Sequence, residues 1–120
     1  MAETETTQLD VKVQQAQRLE GHDSEPAAVI DVTVRVRNKT NLITNLSAEN
    51  LSFELHSDAG AKLSTLRIDS ASNTQYLDAD QQGSWEGRLH VVGTAVAAET
   101  PYQLRVHGLD ATESVSFEFA

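Results

Sequence analysis

Asp78-Ala79-Asp80-Gln81-Gln82-Gly83 sets two carboxylates one residue apart and places a glycine sixth, the way a calcium-binding loop opens. Calcium takes several hard oxygens from one tight turn, and glycine permits the bend. A complete loop needs a bidentate Glu at its twelfth position, where this chain has Leu89. The ninth position, Glu86, belongs to an alternating run. The segment therefore offers at most a weak calcium or magnesium site on Asp78 and Asp80, beside the simpler reading of a solvated turn before a strand. His56, His90 and His107 all fall on outward rows of alternating segments. Three imidazoles on neighbouring strands could bind zinc or copper. No His-x-His or His-x₃-His spacing fixes such a site, and unrelated exposed histidines account for the same pattern.

Catalysis finds no anchor. Cysteine is absent, which excludes disulfides, zinc thiolates and thiol nucleophiles. Ser, His and acidic residues are present, but no nucleophile elbow, phosphate loop or metalloprotease helix organises them. Glu54 and Glu86 read as solvated carboxylates on strand faces. The expectation is a protein that is not an enzyme and uses no cofactor. Triplets of the N-x-[ST] form begin at Asn38, Asn45 and Asn50. They could accept glycans in a glycosylating, exporting organism; chance occurrence in Asn- and Ser-rich loops is the favoured reading.

The charge narrows the partners. Nine Lys and Arg stand against eighteen Asp and Glu, a formal net charge of −9 over 120 residues. Nucleic acids and anionic membranes need clustered cations, so neither is an expected partner. Apolar runs are only a few residues long, far short of the roughly 20 a membrane helix needs. No signal peptide is recognised at the start.

The elements that would position these residues are strands. Leu9, Val11 and Val13 alternate with polar residues, as do Ile30, Val32, Val34 and Val36. The same period of two runs through Leu51–Leu55, Leu66–Ile68, Trp85–Val91, Tyr102–Val106 and Val115–Phe119. Strict alternation means one dry and one wet face, the habit of antiparallel sheets. Turn signals separate the runs, with Ser57-Asp58-Ala59-Gly60 reading as a tight hairpin. Leu46–Asn50 is expected to form one helical turn capped by Thr44 or Asn45. Gly93–Thr100 is expected to be a loop or a second short turn. Two sheets face to face would bury every inward row, with Trp85 as a core filler rather than a sugar-stacking platform. Hydrophobic residues at 39% suffice for one core. Residues 1–7, polar and acidic, are expected to be a disordered tail, and 8–120 a single domain.

Several stretches carry a resemblance. Val32–Leu55 reads V-x-V-x-V-x-N-x-T, then Leu-Ser, then Leu-x-Phe-x-Leu, then Asp58-x-Gly60. The acidic turn Asp78–Gly83, Gly87-Arg88-Leu89-x-Val91 and Pro101-Tyr102-x-Leu104-x-Val106 follow. This resembles the immunoglobulin-like domains of unknown function found in bacterial and archaeal surface lipoproteins, over roughly Leu9–Phe119. Val91 stands where those domains more often have Phe, and the lipoprotein cysteine is absent. The resemblance implies an all-β, immunoglobulin-like antiparallel β-sandwich of seven or eight strands. It also implies a non-enzymatic module of adhesion, ligand capture or assembly, extracellular or at the cell surface.

The expected function is binding, as a monomer in isolation, to a protein or surface-glycan partner whose identity the sequence does not carry. Loops or an edge strand would make the contact. The long loops Asn38–Asn50 and Gly93–Thr100 carry the apolar candidates Leu42, Ile43 and Val96, which could equally cap the open ends of a sandwich. Alternatives are a weak calcium- or zinc-binding sandwich, and a filament subunit that adds strands along a free edge at Leu9–Leu19 or Ser114–Phe119.

Overall fold

The computed structural model describes residues 8–19, 27–40, 42–93, 95–109 and 111–120. The expected tail at 1–7 lies outside the described residues, as do residues 20–26 of the first connection. Strands are β1 (Gln8–Arg18), β2 (Ala28–Arg37), β3 (Thr44–Leu46), β4 (Leu51–Ser57) and β5 (Lys62–Ala71). They continue with β6 (Gln75–Leu77), β7 (Gln82–Val91), β8 (Pro101–Gly108) and β9 (Ala111–Glu118). The described residues are all-β, and these strands pair with one another only in antiparallel fashion. One sheet of seven strands has the order β1-β2-β7-β5-β4-β8-β9, and β3 and β6 form a separate two-stranded ribbon.

Two sheets were expected, and a single continuous one is found because β5 is shared. Its first half, Lys62–Leu66, pairs with β4, and its second half, Arg67–Ala71, pairs with β7. The sheet curls until its edges meet, where the Ala120 amide donates to the Ala16 carbonyl at 3.0 Å. The result is nearly a barrel. Ile30, Val34, Leu55, Trp85, Leu89 and Leu104 form its fully buried centre, and Trp85 stacks on Phe53 with ring centroids 5.4 Å apart. Gly87 must be glycine here: the Trp85 ring lies where its side chain would be. Burial removes Trp85 from any sugar-stacking role. The inward row of β9 is less well covered, since Val115 and Phe117 are only half-buried.

Bulges correct the strict alternation. An extra residue in β1 between Val13 and Gln15 shifts the phase, so that Ala16 rather than Gln15 faces inward opposite Ile30. The helical expectation also moves. Thr44–Leu46 is strand β3, and a single 3₁₀ turn spans Ala48–Asn50 after Ser47, without a side-chain cap. No helix among the described residues is long and apolar enough to cross a membrane.

Candidate functional site

At the end of β2 the chain passes through Asn38, a polar residue with 0% exposure. Its side-chain amide donates to the Leu42 carbonyl at 2.6 Å, the Leu77 carbonyl at 2.9 Å and the Asp78 carbonyl at 3.2 Å. Its side-chain oxygen accepts from the Thr40 amide at 2.9 Å and the Thr40 hydroxyl at 2.6 Å. Its backbone N–H donates to Gln81 at 2.9 Å, and its carbonyl accepts from the Asp80 amide. One residue thus ties the β2–β3 connection to the β6–β7 turn. Buried amides need all their partners, and this one has them. The triplet at Asn38 is therefore no glycan acceptor in the folded chain, whereas Asn45 and Asn50 are exposed.

This tie presents an apolar surface. Leu42 is 76% exposed and Ile43 68%, both just before β3. In the β3–β6 ribbon Thr44 pairs with Leu77 and Asn45 with Tyr76. Leu46 and Leu77 point inward and are buried, so Asn45 and Tyr76 occupy the outer face. Tyr76 is 69% exposed. The Gln75 side chain donates to the Ser84 carbonyl and pins the ribbon to β7. The β8–β9 turn lies at the same end, since Gly108 pairs with Leu51 and packs against the Asn50 carbonyl. Sequence reasoning missed Tyr76, because a three-residue strand is too short to show a period.

Val96 lies at the other end of the molecule. It follows β7, whose last residue Val91 pairs with Ala28 at the start of β2. It is half-buried against the core. The neighbouring Ala97 amide donates to the Tyr102 hydroxyl at 2.9 Å, and the Glu99 amide to the Phe119 carbonyl at 3.3 Å. The two long loops do not form one surface: Leu42 and Ile43 project, and Val96 helps to close the opposite end.

Asp78 and Asp80 stand in the exposed β6–β7 turn. Asp80 has φ of 63° and pairs with Arg37 at 3.5 Å. The Asp78 amide is taken by the Gln81 side chain at 2.8 Å. Among the described residues no group of three or more His, Asp or Glu side chains is placed so that it could hold a metal ion.

The histidines divide. His90 contacts Asp69 at 3.4 Å and Arg67 at 3.4 Å beside β7. His56 and His107 meet elsewhere, on one oxygen of Glu54, at 2.9 Å and 3.3 Å. The expectation of an exposed His56 is corrected: it lies on the outer row but is buried, with Nδ1 held 3.1 Å from the Gly60 carbonyl in the turn above it. Glu54 is likewise no freely solvated carboxylate. Lys62 reaches its second oxygen at 3.5 Å. The hydrogen bond with His56, aided by His107 and Lys62, holds its carboxyl down at about 2 despite partial burial. The signal was present as Glu54 and His56 two apart on one strand, but His107 joins them only through the β4–β8 register. On the outer face Asp31 and Arg88 form an ion pair in two-toothed geometry, at 2.8 and 3.2 Å. No protein family matches the chain, and no match to it is found among curated proteins or solved structures.

Proposed function

We propose that the protein is a non-enzymatic binding module, an immunoglobulin-like domain at a cell surface. It recognises a protein or surface glycan through the end that carries Leu42, Ile43 and Tyr76. The observation that carries this reading is the exposure of those three side chains on backbone held by Asn38 and by the β3–β6 ribbon. Large apolar groups gathered at one end of a soluble chain mark contact surfaces. Anchors on fixed backbone lose little freedom on binding, so more of their burial appears as affinity.

The strand order supports the immunoglobulin-like part. Taken as β1-β2-β7-β5 beside β4-β8-β9, it matches the four-and-three arrangement of a constant-type domain. Tyr102, at the start of β8, accepts a hydrogen bond from a backbone amide five residues upstream, like the corner tyrosine of those domains. The surface location rests on the resemblance of the strand and turn motifs. The loop end is favoured over strand addition because both edges are blunted. β1 carries Lys12 and the bulge at Gln14, and Glu113 stands on the inward row of β9, opposite buried Val106.

The test is capture from an envelope extract of the source organism with immobilised protein. The wild type is expected to retain a saturable partner that L42S/I43S/Y76S loses and V96S keeps. Equal retention by the triple variant would overturn the assignment of the surface.

A further inference from the structure

His56 is 3% exposed, and both of its ring nitrogens face oxygen acceptors. Nδ1 meets the Gly60 carbonyl at 3.1 Å, and a carbonyl can only accept. Nε2 meets Glu54 at 2.9 Å. That carboxyl is held down at about 2, so across the range in which imidazoles titrate it too only accepts. Both contacts can be hydrogen bonds only when both ring nitrogens carry protons. A neutral imidazole has one proton and would turn a lone pair on one of the two acceptors.

His107 makes a different demand of the same oxygen. Its Nε2 lies 3.3 Å from Glu54, and its Nδ1 lies 3.1 Å from the Thr112 hydroxyl. A hydroxyl can donate or accept, so one ring proton satisfies His107 and two also do. The other groups around His56 are Lys62 on β5, its partner in register and the second cation on Glu54, and Gln103 on β8, its neutral partner. Arg105 on β8 pairs in register with Glu54. Asp58 is exposed in the turn above.

That turn depends on few bonds. Ser57 donates to the Ala61 carbonyl at 2.8 Å, Gly60 donates to the Ser57 carbonyl at 2.9 Å, and Gly60 has φ of 94°. We propose that His56 is a proton-operated clasp on the β4–β5 hairpin: doubly protonated it ties the Gly60 carbonyl to the Glu54 carboxylate, and neutral it releases one of them. The hairpin tip is thus closed in mildly acidic surroundings and loosened in mildly alkaline ones. It lies at the end of the molecule away from Leu42, Ile43 and Tyr76, so the clasp stands or falls independently of the binding surface.

Amide hydrogen exchange of the whole protein, read on peptides covering Ser57–Lys62 and corrected for intrinsic rates, tests this. Exchange in the hairpin is expected to be about tenfold faster near pH ~8 than near pH ~5.5, since a charge-assisted bond is lost. Glu54→Gln places an amide donor beside Nε2, which then accepts from it while Nδ1–H holds Gly60. This variant is expected to stay protected at both pH values. His56→Gln is expected to lose the pH dependence, and His107→Gln to keep it. Fluorescence of buried Trp85, the one tryptophan, reports that each variant is folded. Wild-type protection that is equal at the two pH values, or a dependence that persists in folded His56→Gln, would overturn the clasp.

Discussion

The side chain of Asn38 makes five hydrogen bonds to atoms from two stretches of chain, and no other residue type would make the same set. Its amide protons face three carbonyls and its oxygen faces donors. Asn38→Ala leaves those carbonyls and the Thr40 amide short of partners at a buried site, a loss on the order of 3 kcal/mol. Asn38→Asp keeps the shape but turns an acceptor toward the carbonyls of Leu42, Leu77 and Asp78. It is expected to destabilise at least as much as the alanine change. Urea unfolding followed by Trp85 fluorescence measures both, and a near-neutral aspartate variant would contradict the donor assignment. In the sequence Asn38 is one more polar residue after a strand; neither its burial nor its partners 39 and 40 positions away have any local signature. Glu54 and His56 are hidden in the same way. Their alternation marks them as outward, and the hairpin that folds over them is visible only in three dimensions.

At the scale of elements, hydrophobic period was a sound guide wherever a strand ran long enough to repeat it. β2 illustrates this, with Ile30, Val32, Val34 and Val36 inward as their spacing requires. What period does not encode is where a strand changes phase or partner. β5 changes partner midway, and its pairing with β7 shifts register between Ile68 and Ser70. The sharing of β5 joins two expected sheets into one. β1 changes phase at Gln14. Deleting Gln14 leaves Val13 opposite Val32 and Ala16 opposite Ile30 but makes the strand regular. Stability is then expected to change by no more than about 1 kcal/mol, because the inward row is preserved. Self-association should rise, because a flat edge offers a template for another strand. Sedimentation velocity over a concentration series decides this. A deletion variant as monomeric as the wild type would mean that Lys12 and the meeting with β9 already suffice to blunt the edge. The ribbon of β3 and β6 is the element least legible beforehand. Three residues in each strand cannot display a period, and it is long-range pairing at Thr44–Leu77 that makes them strands.

Over the whole molecule two electrostatic effects act in different ranges of pH. A net charge of −9 at pH 7 means that the folded chain repels itself, and salt or partial protonation relieves this. Glu54 acts locally and only in acid. Its carboxyl is held at about 2, below its ordinary value of 4.5, so its contribution is complete above the ordinary value. That contribution fades as pH falls from 4.5 toward 2, when protons bind the unfolded chain first. Near neutrality the general repulsion governs, and added salt is expected to raise the thermal midpoint. Between pH 4.5 and 2 the chain lies below its isoelectric point near 4.7 and gains positive charge, so stability should fall both from that general repulsion and from the fading of the Glu54 cluster. Glu54→Gln is expected to flatten that acid limb while leaving the salt response near pH 7 in place. The separation is informative because the two effects have different ranges: long-range repulsion is screened by salt, whereas contacts at 2.9 and 3.3 Å are screened little. Thermal melts of both proteins over pH and ionic strength measure it. An acid limb as steep in Glu54→Gln as in the wild type would assign acid sensitivity to the remaining carboxylates instead of this one.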